Sequence, residues 1–195
     1  MRLTSRLAIL AILAASTLAA HAVTVAANTA GPASSSPGYD WGQSFTTAAG
    51  GPFNDIVLNL YSAAGGPYAV GTAFLLSEAY SGIPSDLSST TPGYLGSAIA
   101  SGDFYTFATS LTLASDTQYF FYENAPLGSI TGDNVYAGGV YYFSLDDNPY
   151  NSGAPASINF TVTGNVATTP EPSSLLLLGT GFLGLAGMAR RRFLS

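Results

Sequence analysis

The sequence predicts an all-β fold, an antiparallel β-sandwich of about eight strands that lies between two terminal segments of different composition. Three observations predict it. Short apolar and aromatic runs are separated by Gly, Pro, Asn and Asp at intervals of about ten residues or somewhat more, and no long stretch has helical periodicity. Charged residues make up only 8% of the 195 residues, against about 25% in an average soluble domain.

The N-terminal segment has the parts of a secretory signal peptide. Arg2 and Arg6 precede an apolar run at 7–13, and small residues follow up to Ala20-His21-Ala22. The apolar run is short for a bilayer span, and Ala20 and Ala22 fit the small-residue positions of a signal peptidase site. We therefore predict a signal peptide over 1–22, cleaved by signal peptidase, with an uncleaved N-terminal anchor as the alternative.

The middle of the chain, 23–164, is predicted to be one exported β-sandwich domain. Large apolar residues recur at every second position in Ile56, Leu58 and Leu60 and in Ile158, Phe160 and Val162, so that every second side chain faces a core. No internal repeat of useful length is present, which argues against a propeller or a solenoid. The predicted strands span 42–47, 54–61, 69–78, 95–101, 105–113, 118–123, 140–145 and 157–163.

The C-terminal segment contains several parts in a defined order. Pro170-Glu171-Pro172 lies in a linker at 165–174, where the prolines hold the chain extended. Residues 175–189 carry no charge, and as a helix they would rise roughly 22 Å, less than the ~30 Å hydrocarbon core. We therefore predict a single transmembrane helix at 175–189. Because Arg190-Arg191-Arg192 favours the cytoplasmic side, we predict a basic cytoplasmic tail at 190–195.

This ordered set resembles the PEP-CTERM sorting signal, and the resemblance covers 170–195. It implies that an exosortase, a membrane transpeptidase, processes the chain at or near Pro170-Glu171-Pro172 after the C-terminal helix has anchored it transiently in the inner membrane. It also implies a Gram-negative bacterium that makes exopolysaccharide or biofilm, with the mature protein at the cell surface or in the matrix. The same kind of tail is also called an ice-binding protein C-terminal domain, a label for the tail alone. The alternative is an ordinary C-terminal membrane anchor.

The middle of the chain resembles the choice-of-anchor group of exported bacterial domains. The resemblance is carried by Trp41-Gly42-Gln43-Ser44-Phe45-Thr46, by pieces of 111–121 and by Gly138-Gly139-Val140-Tyr141-Tyr142. It implies a jelly-roll-like sandwich, and it transfers no binding or catalytic residue.

Charge and residue types exclude several functions for the middle of the chain. Between Val23 and Ala189 there are eleven acids and no Lys, Arg or His, a net charge of −11. Nucleic-acid binding requires Lys or Arg on phosphates, and phosphoryl transfer requires the same residues as a clamp. Ser or Cys nucleophiles usually need a His or Lys base, and zinc sites need His or Cys. We therefore expect no nucleic-acid binding and no catalytic residue.

One loop offers oxygen ligands for a metal ion. It is Asp146-Asp147-Asn148-Pro149-Tyr150-Asn151, and Asp133-Asn134 precedes it. Ca²⁺ needs six to eight such oxygens, whereas Asp and Asn in a turn commonly bond to their own backbone. We favour the solvated turn and predict no metal site and no cofactor, with calcium as the alternative.

Aromatic rings and carboxylates are the other candidates. Trp41 and the tyrosines other than Tyr105 could include a sugar-stacking platform, but we favour structural roles in a sheet. The runs 120–122 and 141–143 send neighbouring side chains to opposite faces, which predicts an exposed ring in each. We interpret the eleven acids as surface charge rather than a glycosidase pair. We interpret Asn159-Phe160-Thr161 as an accidental glycosylation triplet.

The function we expect is that of a non-catalytic exported surface or matrix protein, sorted by an exosortase and associated with exopolysaccharide or biofilm. One alternative is a carbohydrate-binding module, which predicts solvent-facing aromatic rings in a groove. A second alternative is a carboxylate glycosidase, which predicts a cleft with two facing acids.

Overall fold

The computed structural model describes residues 21–29, 31, 38–61, 67–126, 132–134, 136–153 and 156–167. They form thirteen β-strands and one 3-10 helix, Pro84–Asp86, so the predicted all-β antiparallel class is confirmed. The strands are β1 (Ala22–Asn28), β2 (Tyr39–Thr46), β3 (Phe53–Tyr61), β4 (Pro67–Tyr68), β5 (Thr72–Leu76), β6 (Tyr94–Ser101), β7 (Phe104–Thr106), β8 (Gln118–Glu123), β9 (Gly132–Asn134), β10 (Tyr141–Leu145), β11 (Asn151–Ser152), β12 (Ser157–Ile158) and β13 (Phe160–Val166).

Eleven of these strands form one antiparallel sheet in the order β1-β13-β3-β7-β6-β5-β8-β2-β10-β11, with β4 paired to β3. β6 joins two halves of this sheet, because most of it pairs with β5 and its last two residues pair with β7. We call β1, β13, β3, β4 and β7 the β13 half, and β5, β8, β2, β10 and β11 the β8 half. β9 and β12 form a separate pair.

The sheet curls so that its two halves face each other. The Phe160 ring of β13 lies 6.1 Å from the Phe45 ring of β2 and 5.8 Å from the Phe121 ring of β8, measured between centroids. Four strands separate β13 from β8 in the sheet order, so these contacts require the halves to fold onto one another. All three rings are fully buried, and each such burial contributes roughly 1.5–3 kcal/mol of transfer free energy. The jelly-roll topology stays a prediction.

The β13 half buries one face, as the alternating pattern predicts. On β3 the buried side chains include Ile56, Leu58 and Leu60, and half-buried side chains lie between them. β13 repeats this pattern with buried Phe160 and Val162. The period of two follows from the pleat, which sends successive side chains to opposite faces of the sheet.

The β8 half buries both faces. Behind the shared core lies a second apolar cluster, to which Phe74 and Leu76 of β5 and Phe120 and Tyr122 of β8 contribute. Leu87, from the connection between β5 and β6, completes the cluster together with Tyr150. The prediction of an exposed ring in 120–122 is therefore wrong, since all three rings are buried, and the three rings of 141–143 are half-buried.

Several predicted strand limits differ from the observed ones. The predicted strand at 105–113 ends at Thr106, because the next residues make a turn in which the Leu111 N–H donates to the Ala108 carbonyl, 2.9 Å. The predicted strand at 157–163 is two strands interrupted at Asn159. Strands β1, β4, β9 and β11 were not predicted.

The two ends of the described domain lie next to each other. β1 pairs with β13 in antiparallel register, so that Ala22 is opposite Asn165. The chain therefore enters and leaves the domain at the same end of one sheet edge. No helix in the described residues is long and apolar enough to cross a membrane, and the predicted span at 175–189 lies outside them.

Candidate functional site

An acidic cleft of about 320 Å³ opens beside the doubly buried β8 half. Four segments meet there: the start of β2, the 3-10 helix, the chain after β8 and the turn after β10. Its lining combines three carboxylates with an amide, a hydroxyl and two prolines. The lining residues are Gly38, Asp40, Pro84, Ser85, Asn124, Pro126, Asp146 and Asp147. We call this feature the acidic cleft.

The turn after β10 places two of the carboxylates. Asp146 and Asp147 both have left-handed backbone, with φ of 54° and 55°, and the Asn148 N–H donates to the Leu145 carbonyl, 3.2 Å. A turn with two positive φ angles favours Gly, Asn and Asp, which explains the residue types at these positions. The turn therefore presents two adjacent acids at positions where the backbone of most other residue types would be strained.

Asp147 is held on the 3-10 helix by a single serine. The Ser85 N–H donates to one carboxylate oxygen, 3.0 Å, and the Ser85 hydroxyl donates to the other, 2.7 Å. The turn after β10 and the connection between β5 and β6 are thereby joined across the cleft.

Asp40 is the buried acid of the cleft. Its side chain projects from β2, and the residue is 5% exposed. Burial, and secondarily the negative charge of Asp147, raise the pKa of Asp40 to about 6, while a bond from its own backbone N–H acts in the opposite direction. Asp40 and Asp147 thus differ in environment. Asp40 is desolvated by burial, whereas Asp147 accepts two hydrogen bonds from Ser85.

Glu123 lies at the end of β8 and is fully buried. Among the described residues, neither of its carboxyl oxygens has a hydrogen-bond partner, and the buried indole N–H of Trp41, in the adjacent strand β2, is also unpartnered. The Tyr105 hydroxyl lowers the pKa of Glu123, but by less than burial raises it. This hydroxyl donates its hydrogen bond to the Val70 carbonyl, 2.8 Å. Burial raises the pKa of Glu123 well above its usual range.

Tyr150 connects the cleft wall to the second apolar cluster. It is 4% exposed, and its hydroxyl donates to the Glu123 carbonyl. Its ring packs against Tyr122, with centroids 4.8 Å apart. Burial, with the charges of Asp40 and Glu123 as lesser causes, raises the pKa of Tyr150 well above its usual range.

The residues considered as alternative calcium ligands lie on separate elements. Asp146 and Asp147 follow β10, whereas Asp133 and Asn134 lie in β9, which pairs with β12. Within the described ranges, no three His, Asp or Glu side chains are placed to hold a metal ion. The glycosylation triplet is engaged in the fold, because the Asn159 amide exchanges hydrogen bonds with Gly31, 3.0 and 2.9 Å, and the residue is 5% exposed.

The aromatic candidates do not form an exposed platform. Trp41 and all twelve tyrosines lie in the described residues, and each is buried or half-buried. The exposed aromatic ring of this part of the chain is Phe104, which is 42% exposed. The structural interpretation of the tyrosines agrees with this placement.

The interpretation of the acids as surface charge is wrong for Asp40 and Glu123. Both lie in strands of the β8 half rather than in loops. A signal was present in the sequence: Asp40 lies between Tyr39 and Trp41, and Glu123 ends an otherwise aromatic run. An acid inside such a segment is a candidate for burial, with the raised pKa that burial brings.

The predicted processing residues fall largely outside the described ranges. Ala20, Pro170, Glu171, Pro172, Arg190, Arg191 and Arg192 lie outside them, and Ala22 is the first residue of β1.

Comparison with known proteins identifies the C-terminal segment. Residues 168–192 match the family model of the PEP-CTERM protein-sorting motif. The tail is a PEP-CTERM sorting signal. The PEP-CTERM motif implies export and exosortase-dependent sorting to the cell surface. No curated protein and no solved structure matches this chain.

Proposed function

We propose that this protein is a non-catalytic component of the bacterial surface or extracellular matrix, which its β-domain joins by associating with exopolysaccharide. The observation that carries the proposal is the PEP-CTERM motif at 168–192, which begins just after β13 ends at Val166. Every described strand thus ends before the sorting segment begins, and processing near Pro170 would leave these strands intact.

The charge of the domain supports a role outside the membrane. With ten acids and no base between Val23 and Gly164, the domain is repelled by anionic membrane surfaces and by other copies of itself. Such a domain remains soluble when it is concentrated at a surface. Signal peptidase and exosortase act on it only during export, and a Gram-negative cell with an inner-membrane intermediate is part of the same proposal.

The two alternatives make different structural demands. A carbohydrate-binding module that uses ring stacking requires solvent-facing Trp or Tyr, and every Trp and Tyr here is at least half-buried. A carboxylate glycosidase requires two acids around a water-accessible bond, and the acidic cleft meets part of that requirement with Asp40 and Asp147. We therefore retain hydrolysis as an outcome that the experiment must address.

The test is fractionation of the native host. The full-length protein is expected in the matrix fraction, and a Pro170→Ala, Glu171→Ala, Pro172→Ala variant is expected in the membrane fraction. In a strain that makes no exopolysaccharide, the wild-type protein is expected in the medium.

Recovery from the same fraction with and without exopolysaccharide would contradict the association. Incubation of purified protein with the host polysaccharide is expected to leave the polymer length unchanged. Shortening that disappears in an Asp147→Asn variant would replace the non-catalytic proposal by the glycosidase.

A further inference from the structure

The folded domain extends to within a few residues of the sorting motif. β13 ends at Val166, and the next residue is still held, because the Ala167 N–H donates to the Pro52 carbonyl, 2.8 Å. Pro170 follows three residues later, and three residues span at most about 11 Å even when fully extended. The processing residues therefore begin beside one end of the folded domain.

Three segments form this end of the domain and are tied to its strands by hydrogen bonds. We call it the exit end, and it consists of 48–52, 114–117 and 166–167. The Ala48 N–H donates to the Val25 carbonyl of β1, 2.8 Å. The Thr47 hydroxyl donates to the Ala114 carbonyl, 2.7 Å. The exit end is therefore a built surface, and its position is fixed relative to the last strand.

Small and uncharged residues make up most of the exit end. Its exposed residues are Ala48, Ala49, Gly50, Pro52, Ala114, Asp116 and Val166. The acidic cleft is far away, because Asp40 lies near the start of β2 and the eight residues of that strand rise about 25 Å toward the exit end. With Asp116 as its one acid, the exit end can approach an anionic membrane more closely than the end with the cleft can.

An enzyme that processes the chain at Pro170 has to come close to the exit end. The PEP-CTERM match implies processing by an exosortase, a membrane protein much wider than a gap of three residues. The enzyme can reach its substrate only by touching the exit end or by pulling the end of β13 off the sheet. Pulling is unfavourable, because Val166 pairs with Phe53 of β3, which is 2% exposed, and β13 lies between two other strands.

We propose that the exit end is the surface with which the folded domain contacts the exosortase while the tail is processed. Its small neutral side chains allow the enzyme to approach the 48–52 connection closely. The acidic cleft, at the other end of β2, then points away from the membrane. The inference rests on the proposed function, because it names the surface at which the sorting enzyme meets the domain.

The test is a pulse-chase measurement of tail processing in the native host, with the full chain and its variants expressed at equal levels. Ala49→Trp places a large ring on the exit end at an exposed position. We expect it to slow processing at least about tenfold, because a small displacement of the reacting group in an active site strongly reduces the rate. Ala114→Trp adds the same bulk on a second segment of the exit end and is expected to act in the same direction.

Two controls separate contact with the enzyme from other effects. Ser101→Trp adds the same ring at an exposed position, and Ser101 pairs with Phe104 toward the end of β3 that is remote from Phe53. We expect this variant to be processed at the wild-type rate. A spacer of about ten Gly and Ser residues between Ala167 and Thr168 adds roughly 17 Å of average reach, and it is expected to restore the rate of Ala49→Trp. The melting temperature of each purified variant checks that the domain is folded.

Three results would overturn the inference. Processing of Ala49→Trp and Ala114→Trp at the rate of Ser101→Trp would mean that the enzyme does not touch the exit end. Equal slowing in all three variants would indicate a general defect in export. Slowing that the spacer leaves unchanged would place the effect in the domain itself rather than at the enzyme. These results concern the rate of processing, whereas the proposed function is tested by the fraction that contains the processed protein, so the two can fail separately.

Discussion

The two halves of the sheet bury their side chains in different ways. In the β13 half, buried and half-buried residues alternate along β3 and β13, and one face carries the core. In the β8 half, β5 and β8 are buried at nearly every position, because the connection between β5 and β6 covers their outer face. Both buried strand acids, Asp40 and Glu123, belong to this second half. The two carboxyls whose pKa is raised by burial thus lie in strands that are buried on both faces.

The largest effect is expected from paired substitutions in the two halves. Phe121→Ala and Phe120→Ala remove rings from opposite faces of β8. Phe121 is 0% exposed and Phe120 is 8% exposed. Each is expected to cost about 3–5 kcal/mol of unfolding free energy, from lost burial and the remaining cavity. In β13, Thr163→Ala on the less buried face is expected to cost less than about 1 kcal/mol. Denaturant unfolding measures all three, and a small loss for Phe120→Ala would contradict the covered outer face.

A leucine pair tests the covering segment itself. Leu87 in the β5–β6 connection is 5% exposed and packs in the second cluster, whereas Leu95 of β6 is 37% exposed. Leu87→Ala is expected to cost about 2–4 kcal/mol, and Leu95→Ala no more than about 0.5 kcal/mol. The same unfolding measurement checks both. Equal losses would mean that the connection contributes no more than an ordinary surface loop.

A smaller effect is expected from one hydroxyl at the boundary between cleft and cluster. Tyr150→Phe keeps the ring and removes the hydrogen bond that the hydroxyl donates to the Glu123 carbonyl, a buried acceptor. The expected loss is about 1–2 kcal/mol. Tyr94→Phe serves as the control, because the Tyr94 hydroxyl pairs with Ser97 at an exposed position. A loss for Tyr150→Phe no larger than for the control would remove Tyr150 from this account.

The smallest effect is a pH dependence that belongs to Asp40. Its pKa is about 6 in the folded protein against 3.8 in the unfolded reference, so the folded state binds the proton more tightly. The resulting stabilisation is complete below the unfolded pKa and is lost as pH rises through about 6. Asp40→Asn is therefore expected to lower the difference in stability between about pH 5 and about pH 7.5. Asp116→Asn should retain the wild-type difference, and an unchanged difference in Asp40→Asn would contradict the raised pKa.

The fold was predictable where local pattern and tertiary role agree. Alternation at 56–60 and 158–162 predicted the core face of the β13 half, and β8 has the limits predicted for it. β1 was not predicted because Ala22 was assigned to the signal peptide and the only alternation after it is the short stretch Val23-Thr24-Val25. The prediction of an exposed ring in 120–122 was wrong, because it assumed that one face of the strand is in contact with solvent. The β5–β6 connection covers that face, and this contact depends on the tertiary structure.

The site was less predictable than the fold. Composition excluded basic and thiol chemistry, and the chain order of the tail predicted the sorting signal that the family model confirms. The acidic cleft depends on bringing together residues near 40, 85, 124 and 147. No local pattern relates those positions, and the burial of Asp40 follows from strand pairing and from the turn after β10. Residue types therefore identified the sorting segment, whereas the cleft required the tertiary structure.

The most direct test of the central claim is the intact mass and both termini of the mature protein from its native host, with and without the exosortase. We predict loss of residues through Ala22 and a new C-terminus near Pro170 that appears only when the exosortase is present. The mature chain would then begin at Val23 within β1 and would still contain β13, the last described strand, which ends at Val166. A protein that retains Arg190 to Ser195 in both strains would contradict the account, because the tail would then act as a plain membrane anchor.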